Sequence, residues 1–137
     1  MFSLSADPLE GRDFAKDLVN PESGACVIFV GRVRVRHGDR KVKLLEYEAS
    51  EKQAGDEFAK IVEESRKEFN TFDIRGVHRT GSVRVGEMAV WIGVTAAHRN
   101  AAFAACQYVI DELKKRLPIW KKEHYEDGTS AWLTAGE

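Results

Sequence analysis

With 137 residues, 43% of them hydrophobic and 31% charged, the chain fits one globular domain with a core of its own and is too short for two comfortable ones. A formal net charge of -1 and a pI near 6.4 argue against a general nucleic-acid binder, whose surface is broadly basic. The opening Met1-Phe2-Ser3-Leu4-Ser5-Ala6-Asp7 lacks the basic start and apolar core of a secretory signal, and no apolar run reaches membrane-spanning length, so a cytoplasmic protein with no membrane association is expected.

A short helix is expected over residues 12–19. Residues 24–31, Gly-Ala-Cys-Val-Ile-Phe-Val-Gly, read as a strand buried on both faces; residues 41–47 read as its half-exposed partner after a Gly38-Asp39 turn, the two forming a β-hairpin. Ser50 with Gln53 makes a capping-box pattern, and Ala54, Phe58, Ile61, Val62, Ser65 and Phe69 then recur at helical spacing. Residues 72–80 and 82–85 read as strands, Gly86-Glu87 as a turn and residues 88–95 as a central strand. A second helix carries Ala102, Phe103, Cys106, Val109, Ile110, Leu113 and Leu117 as one apolar stripe and stops at Pro118. This order predicts an α+β fold, a mainly antiparallel sheet with helices packed on one face.

Cys26 and Cys106 both fall in apolar surroundings and read as buried thiols rather than a disulfide. The four histidines show no metal-ligand spacing, and the chain has no Walker or Rossmann phosphate loop, so neither a metal nor a resident cofactor is expected.

The charge is even overall and clustered locally. Arg32, Arg34, Arg36, His37, Arg40, Lys41 and Lys43 crowd the first hairpin, and alternation puts Arg32, Arg34 and Arg36 on one side, an arrangement suited to phosphate or to plain solvation. His98-Arg99 falls at the start of the second helix, where free backbone N–H groups attract anions; the alternative is an arginine paired with a surface acid. In Leu113-Lys114-Lys115-Arg116-Leu117-Pro118-Ile119-Trp120-Lys121-Lys122-Glu123, Lys115 and Arg116 follow Asp111 and Glu112 by one turn, whereas Lys114 follows Ile110 and flanks the apolar stripe. A lysine at such an edge either lies along the core or is partly desolvated and fit for acid–base or nucleophilic work. Trp120 either stacks on a flat heterocycle or packs in the core; the core is expected for it and for Trp91 and Trp132.

Five ordered motifs add up to more than these clusters do singly. Phe29-Val30-Gly31-Arg32-Val33-Arg34, Leu45-Glu46-Tyr47-Glu48-Ala49, Val77-His78-Arg79-Thr80-Gly81, Val94-Thr95-Ala96-Ala97-His98-Arg99 and the lysine segment resemble, in order and spacing, the family of large catalytic subunits of molybdopterin synthase. The resemblance implies an α/β hammerhead-like fold and a homodimer within a heterotetramer. It also implies a small ubiquitin-like sulfur-carrier subunit whose C-terminal Gly-Gly ends in a thiocarboxylate, and sulfur transfer to a cyclic pyranopterin monophosphate to form the molybdopterin dithiolene. It places catalysis on Lys114 and Lys121 and substrate contacts on Arg32, Val33, Arg34, His98, Arg99, Lys121, Lys122 and Glu123. Two positions depart from the family pattern: Val35-Arg36-His37-Gly38-Asp39 replaces an Asp-His-Asn-like loop, so no role carries over to His37, and Ala131 stands where some members reach into the neighbouring subunit with an arginine. Two competing readings are a phosphate- or RNA-binding module built on the basic hairpin and a binder of a ubiquitin-like tail without turnover.

Overall fold

The computed structural model describes residues 1–133. Its elements are β1 (Phe2–Ser5), a 3-10 turn (Ala15–Leu18), β2 (Ala25–Arg32), β3 (Arg36–His37), β4 (Arg40–Ala49), α1 (Glu51–Phe69), β5 (Ile74–Arg79), β6 (Gly81–Arg84), β7 (Met88–Ala96), α2 (Arg99–Arg116), β8 (Ile119–Tyr125) and β9 (Ser130–Leu133). The class is α+β, and all strand pairs except the parallel β1–β5 are antiparallel. Neither helix is long and apolar enough to cross a membrane.

The strands form two sheets. The first runs β1-β5-β7-β2, and both helices lie on one face of it. Alternation on β7 explains that: Val90, Ile92 and Val94 point to the helices and meet Phe58, Ile61, Cys106, Val109 and Leu113, while Trp91 points the other way and meets Leu9, Phe14 and Leu18. α1 begins at Ser50, whose hydroxyl accepts from the Gln53 N–H at 3.4 Å, and ends at Asn70 in the left-handed conformation. The second sheet centres on β4, with β8 and then β9 on one edge and β3 and β6 on the other. Its own small core gathers Val33, Val42, Leu45, Tyr47, Val83, Ala89 and Tyr125.

Several expectations need correction. β2 does not form a hairpin with β4; it pairs with β7 through the register Val27↔Val94 and Phe29↔Ile92. Burying Val27 and Phe29 against the helices decides that pairing, and the chain then leaves the sheet at a bulge between Gly31 and Arg32, where a Cβ on Gly31 would stand 2.7 Å from Val90. The tight hairpin is β3–β4, closed by Gly38 at φ +61. β2 is an edge strand with one exposed face rather than a strand buried on both: Cys26 is exposed and Ile28 is 47% exposed. Phe103 departs from the stripe of α2 and is 61% exposed, the helix having turned that residue off the sheet. Trp91 is buried as expected, but Trp120 and Trp132 lie half-exposed on the outer face of the second sheet. β1 has no counterpart in the sequence reading, and the early helix is a single 3-10 turn.

Candidate functional site

The cationic groups meet where one sheet hands the chain to the other. Past the bulge, Val33 turns into the second core, and Arg32, Arg34 and Arg36 span the end of β2, the link and β3. α2 arrives from the opposite side. The Leu117 N–H returns to the Leu113 carbonyl at 3.0 Å, Pro118 forbids another turn, and β8 begins at Ile119. That abrupt change brings Lys114, in the last turn of α2, beside Lys121 on β8.

These segments line a cavity of about 100 Å3 with Arg32, Val33, Arg34, Arg36, His37, Leu45, Tyr47, Lys114, Lys121 and Glu123. Five side chains there are cations and one is a carboxylate. Lys114 is exposed rather than desolvated at the core edge, and it makes no ion pair among the described residues. Its neighbours behave differently: Lys115 pairs with Glu112 at 3.5 Å, and Arg116 binds Glu57, Glu64 and Glu112.

Glu123 is 5% exposed, and its Oε1 accepts from His37 Nδ1–H at 2.7 Å and from the Tyr125 hydroxyl at 2.9 Å. Glu123, expected as a substrate contact, lines the cavity and at the same time ties β3 to β8. Tyr47 forms part of the floor; burial first, and the Glu123 charge second, push its hydroxyl up to about 12. Beneath it lies His78, ring against ring at 4.8 Å, 6% exposed, its Nδ1–H donated to the Arg79 carbonyl at 2.8 Å. Burial above all lowers the imidazole to about 4, and the charges of Lys114 and Lys121 act in the same direction against the pull of that carbonyl bond.

Three expected site residues lie elsewhere in the protomer. Lys122 alternates to the outer face of β8, where its ammonium sits 5.7 Å from the centre of the Trp132 ring. His98 caps α2 without a side-chain hydrogen bond and Arg99 opens the helix, both exposed. At 1.5 Å of rise per residue, the fifteen positions from Arg99 to Lys114 span about 22 Å, so that end of the helix does not reach this cavity. Sequence reasoning placed Arg36 and His37 in the basic hairpin cluster and gave no site role to Leu45 and Tyr47; the alternation of β4, which puts Leu45 and Tyr47 on one face, was the available signal. Among the described residues no cluster of His, Cys, Asp and Glu is arranged to hold a metal ion.

The arrangement is built to receive negative charge and to present an ammonium. The model of the MoaE protein family matches residues 4–116. The molybdopterin synthase catalytic subunit of Thermoplasma volcanium is 41% identical over 120 residues, 85% of this chain and 88% of that protein. The subunit of the same name from a Nostoc species is 36% identical over 136 residues, covering 98% and 82%. The crystal structure of molybdopterin synthase from Staphylococcus aureus superimposes with a TM-score of 0.89 at 34% identity, covering 96% of this chain and 95% of that one. On the family match, the identity to its relatives and the superposition, this chain belongs to the MoaE family.

Proposed function

We propose that the cavity between α2, β8 and the link from β2 to β3 is where this chain, as the catalytic subunit of a molybdopterin synthase, transfers sulfur from a small partner's C-terminal thiocarboxylate to a pyranopterin monophosphate. The observation that carries the reading is the convergence of Arg32, Arg34, Arg36, Lys114 and Lys121 on one cavity. Both reactants are anions, and bringing two anions together is unfavourable without fixed positive charge beside them. The arginines hold the phosphate as forked donors, and Lys121 holds the incoming carbonyl end. Lys114, with no carboxylate partner among the described residues, supplies its ammonium to charge developing at the reacting carbon and moves protons there.

The size of the cavity bears on the partner. At about 100 Å3 it is well below the roughly 300–1000 Å3 of a site that swallows a whole drug-sized ligand, and it takes a slim, side-chain-free Gly-Gly end. The rest of the pterin needs further walls. In this reading a second copy supplies them: His98 and Arg99, too far along α2 to serve their own protomer, face the cavity of the neighbour in a homodimer, with one ubiquitin-like subunit on each half. The chain acts as one catalytic domain, residues 1–137, in the cytosol.

The test is conversion of the pyranopterin precursor by this chain and a thiocarboxylated small subunit. Lys114→Ala lowers the single-turnover rate by about 100-fold or more, within the usual range for a lost acid–base group, while the partner still binds. An unchanged rate in that variant sinks the assignment.

A further inference from the structure

The mechanism above uses the cations of the cavity and leaves its one carboxylate unexplained. Glu123 lowers the affinity of the site for anions, yet it is 5% exposed among five cations. What it does make is a 2.7 Å hydrogen bond from His37 Nδ1, backed by the Tyr125 hydroxyl on the same oxygen. A carboxylate accepts only, so Nδ1 carries the hydrogen, and the lone pair of the neutral ring is on Nε2. No other hydrogen bond to the ring occurs among the described residues, the His37 side chain is 42% exposed, and the residue lines the cavity that holds Lys114 and Lys121. A buried carboxylate that fixes one nitrogen of an imidazole and leaves the other to the reactants is the arrangement that makes histidine an effective proton acceptor.

We propose that His37 is a further catalytic residue, the base that activates water to release the partner's tail, with Glu123 its positioning residue. The inference rests on the sulfur-transfer reading. For sulfur to stay on the pterin, the acyl–sulfur bond to the partner's terminal glycine breaks with water as the acyl acceptor. The water oxygen bonds to the carbonyl carbon, one water proton passes to His37 Nε2, and sulfur leaves with the C–S electron pair on the substrate carbon. The new carboxyl loses its remaining proton to solvent, and the imidazolium returns its own to the thiolate or to water. Glu123 compensates the charge of that imidazolium, which otherwise forms against Arg36 on its own strand, Arg40 opposite it on β4, Arg32 at the end of β2, Arg34 on the link, Lys114 on α2 and Lys121 on β8. The Tyr47 and Tyr125 hydroxyls, both pushed above their ordinary range chiefly by burial, stay protonated through the change.

The experiment is the pH profile of single-turnover product formation by the chain with its thiocarboxylated partner. His37→Gln keeps an N–H donor for Glu123 and removes the titrating nitrogen. It is expected to slow turnover by about 100-fold and to erase one ionisation from the wild-type profile, and millimolar imidazole is expected to restore His37→Ala through the half-open site. A His37→Gln protein with the wild-type rate and profile overturns the proposal. So does a slower one whose profile keeps every ionisation, since that identifies a mere tie between β3 and β8. Failure of the wild-type pair to form product would instead overturn the sulfur-transfer reading, so the two failures are distinguishable.

Discussion

His78 shows how a single side chain couples the site to stability. Its imidazole is neutral because water cannot reach it, and it titrates near 4 rather than 6.5. The unfolded chain therefore takes up a proton below pH 6.5 that the folded chain refuses until pH 4, and stability is lost as pH falls through that window. Two and a half pH units correspond to about 3 kcal/mol. Denaturant titrations at pH 7 and pH 4 are expected to show the wild type losing about that much more than His78→Gln, which keeps an amide donor for the Arg79 carbonyl but has no proton to gain.

Among the elements, the two helices are joined by one guanidinium. Arg116 on α2 donates to Glu57 at 2.9 Å and to both oxygens of Glu64 on α1, and Tyr108 donates to Glu64 as well. The Arg116 bond, then the Tyr108 bond, hold the Glu64 carboxyl down to about 2. A carboxyl lowered on folding contributes stability above pH 4.5 that is lost as pH falls towards 2. Thermal midpoints of wild type and Arg116→Ala are thus expected to differ at pH 6 and to draw together at pH 2.5. The Glu64 side chain is 41% exposed, so added salt narrows the gap at pH 6.

The helices were legible in the sequence because their signals are local: a capping serine, a period of 3.6 and a terminating proline. The pairing of β2 was not, since an apolar run does not say which distant strand covers it, and the choice of β7 over β4 is made by the helices above. The candidate site divides in the same way. Lys114 and Lys121 lie on either side of one helix stop and were found together, while the His37–Glu123 bond joins residues 86 positions apart and needed the sheet. Lys122, assigned by resemblance, lies on the outer face of β8 in the protomer, since a charge run does not reveal which of its members alternation turns away.

At the scale of the whole molecule, the split between Lys114 and Arg99 makes a prediction about pairs of chains. Lys114→Ala and Arg99→Ala homodimers are each expected to be inactive. After subunit exchange half the dimers are mixed, and each mixed dimer has one intact site of two, so about a quarter of wild-type activity is expected to return. Equal activity before and after mixing would mean that the copies do not share sites. On the proposed reading α2 acts as a ruler: its eighteen residues set how far the His98–Arg99 end of one chain stands from Lys114 of the same chain. Inserting one residue would swing one end by about 100 degrees against the other, so the same reading makes the length of this helix answer to the geometry of two reaction centres at once, a constraint stricter than packing alone imposes.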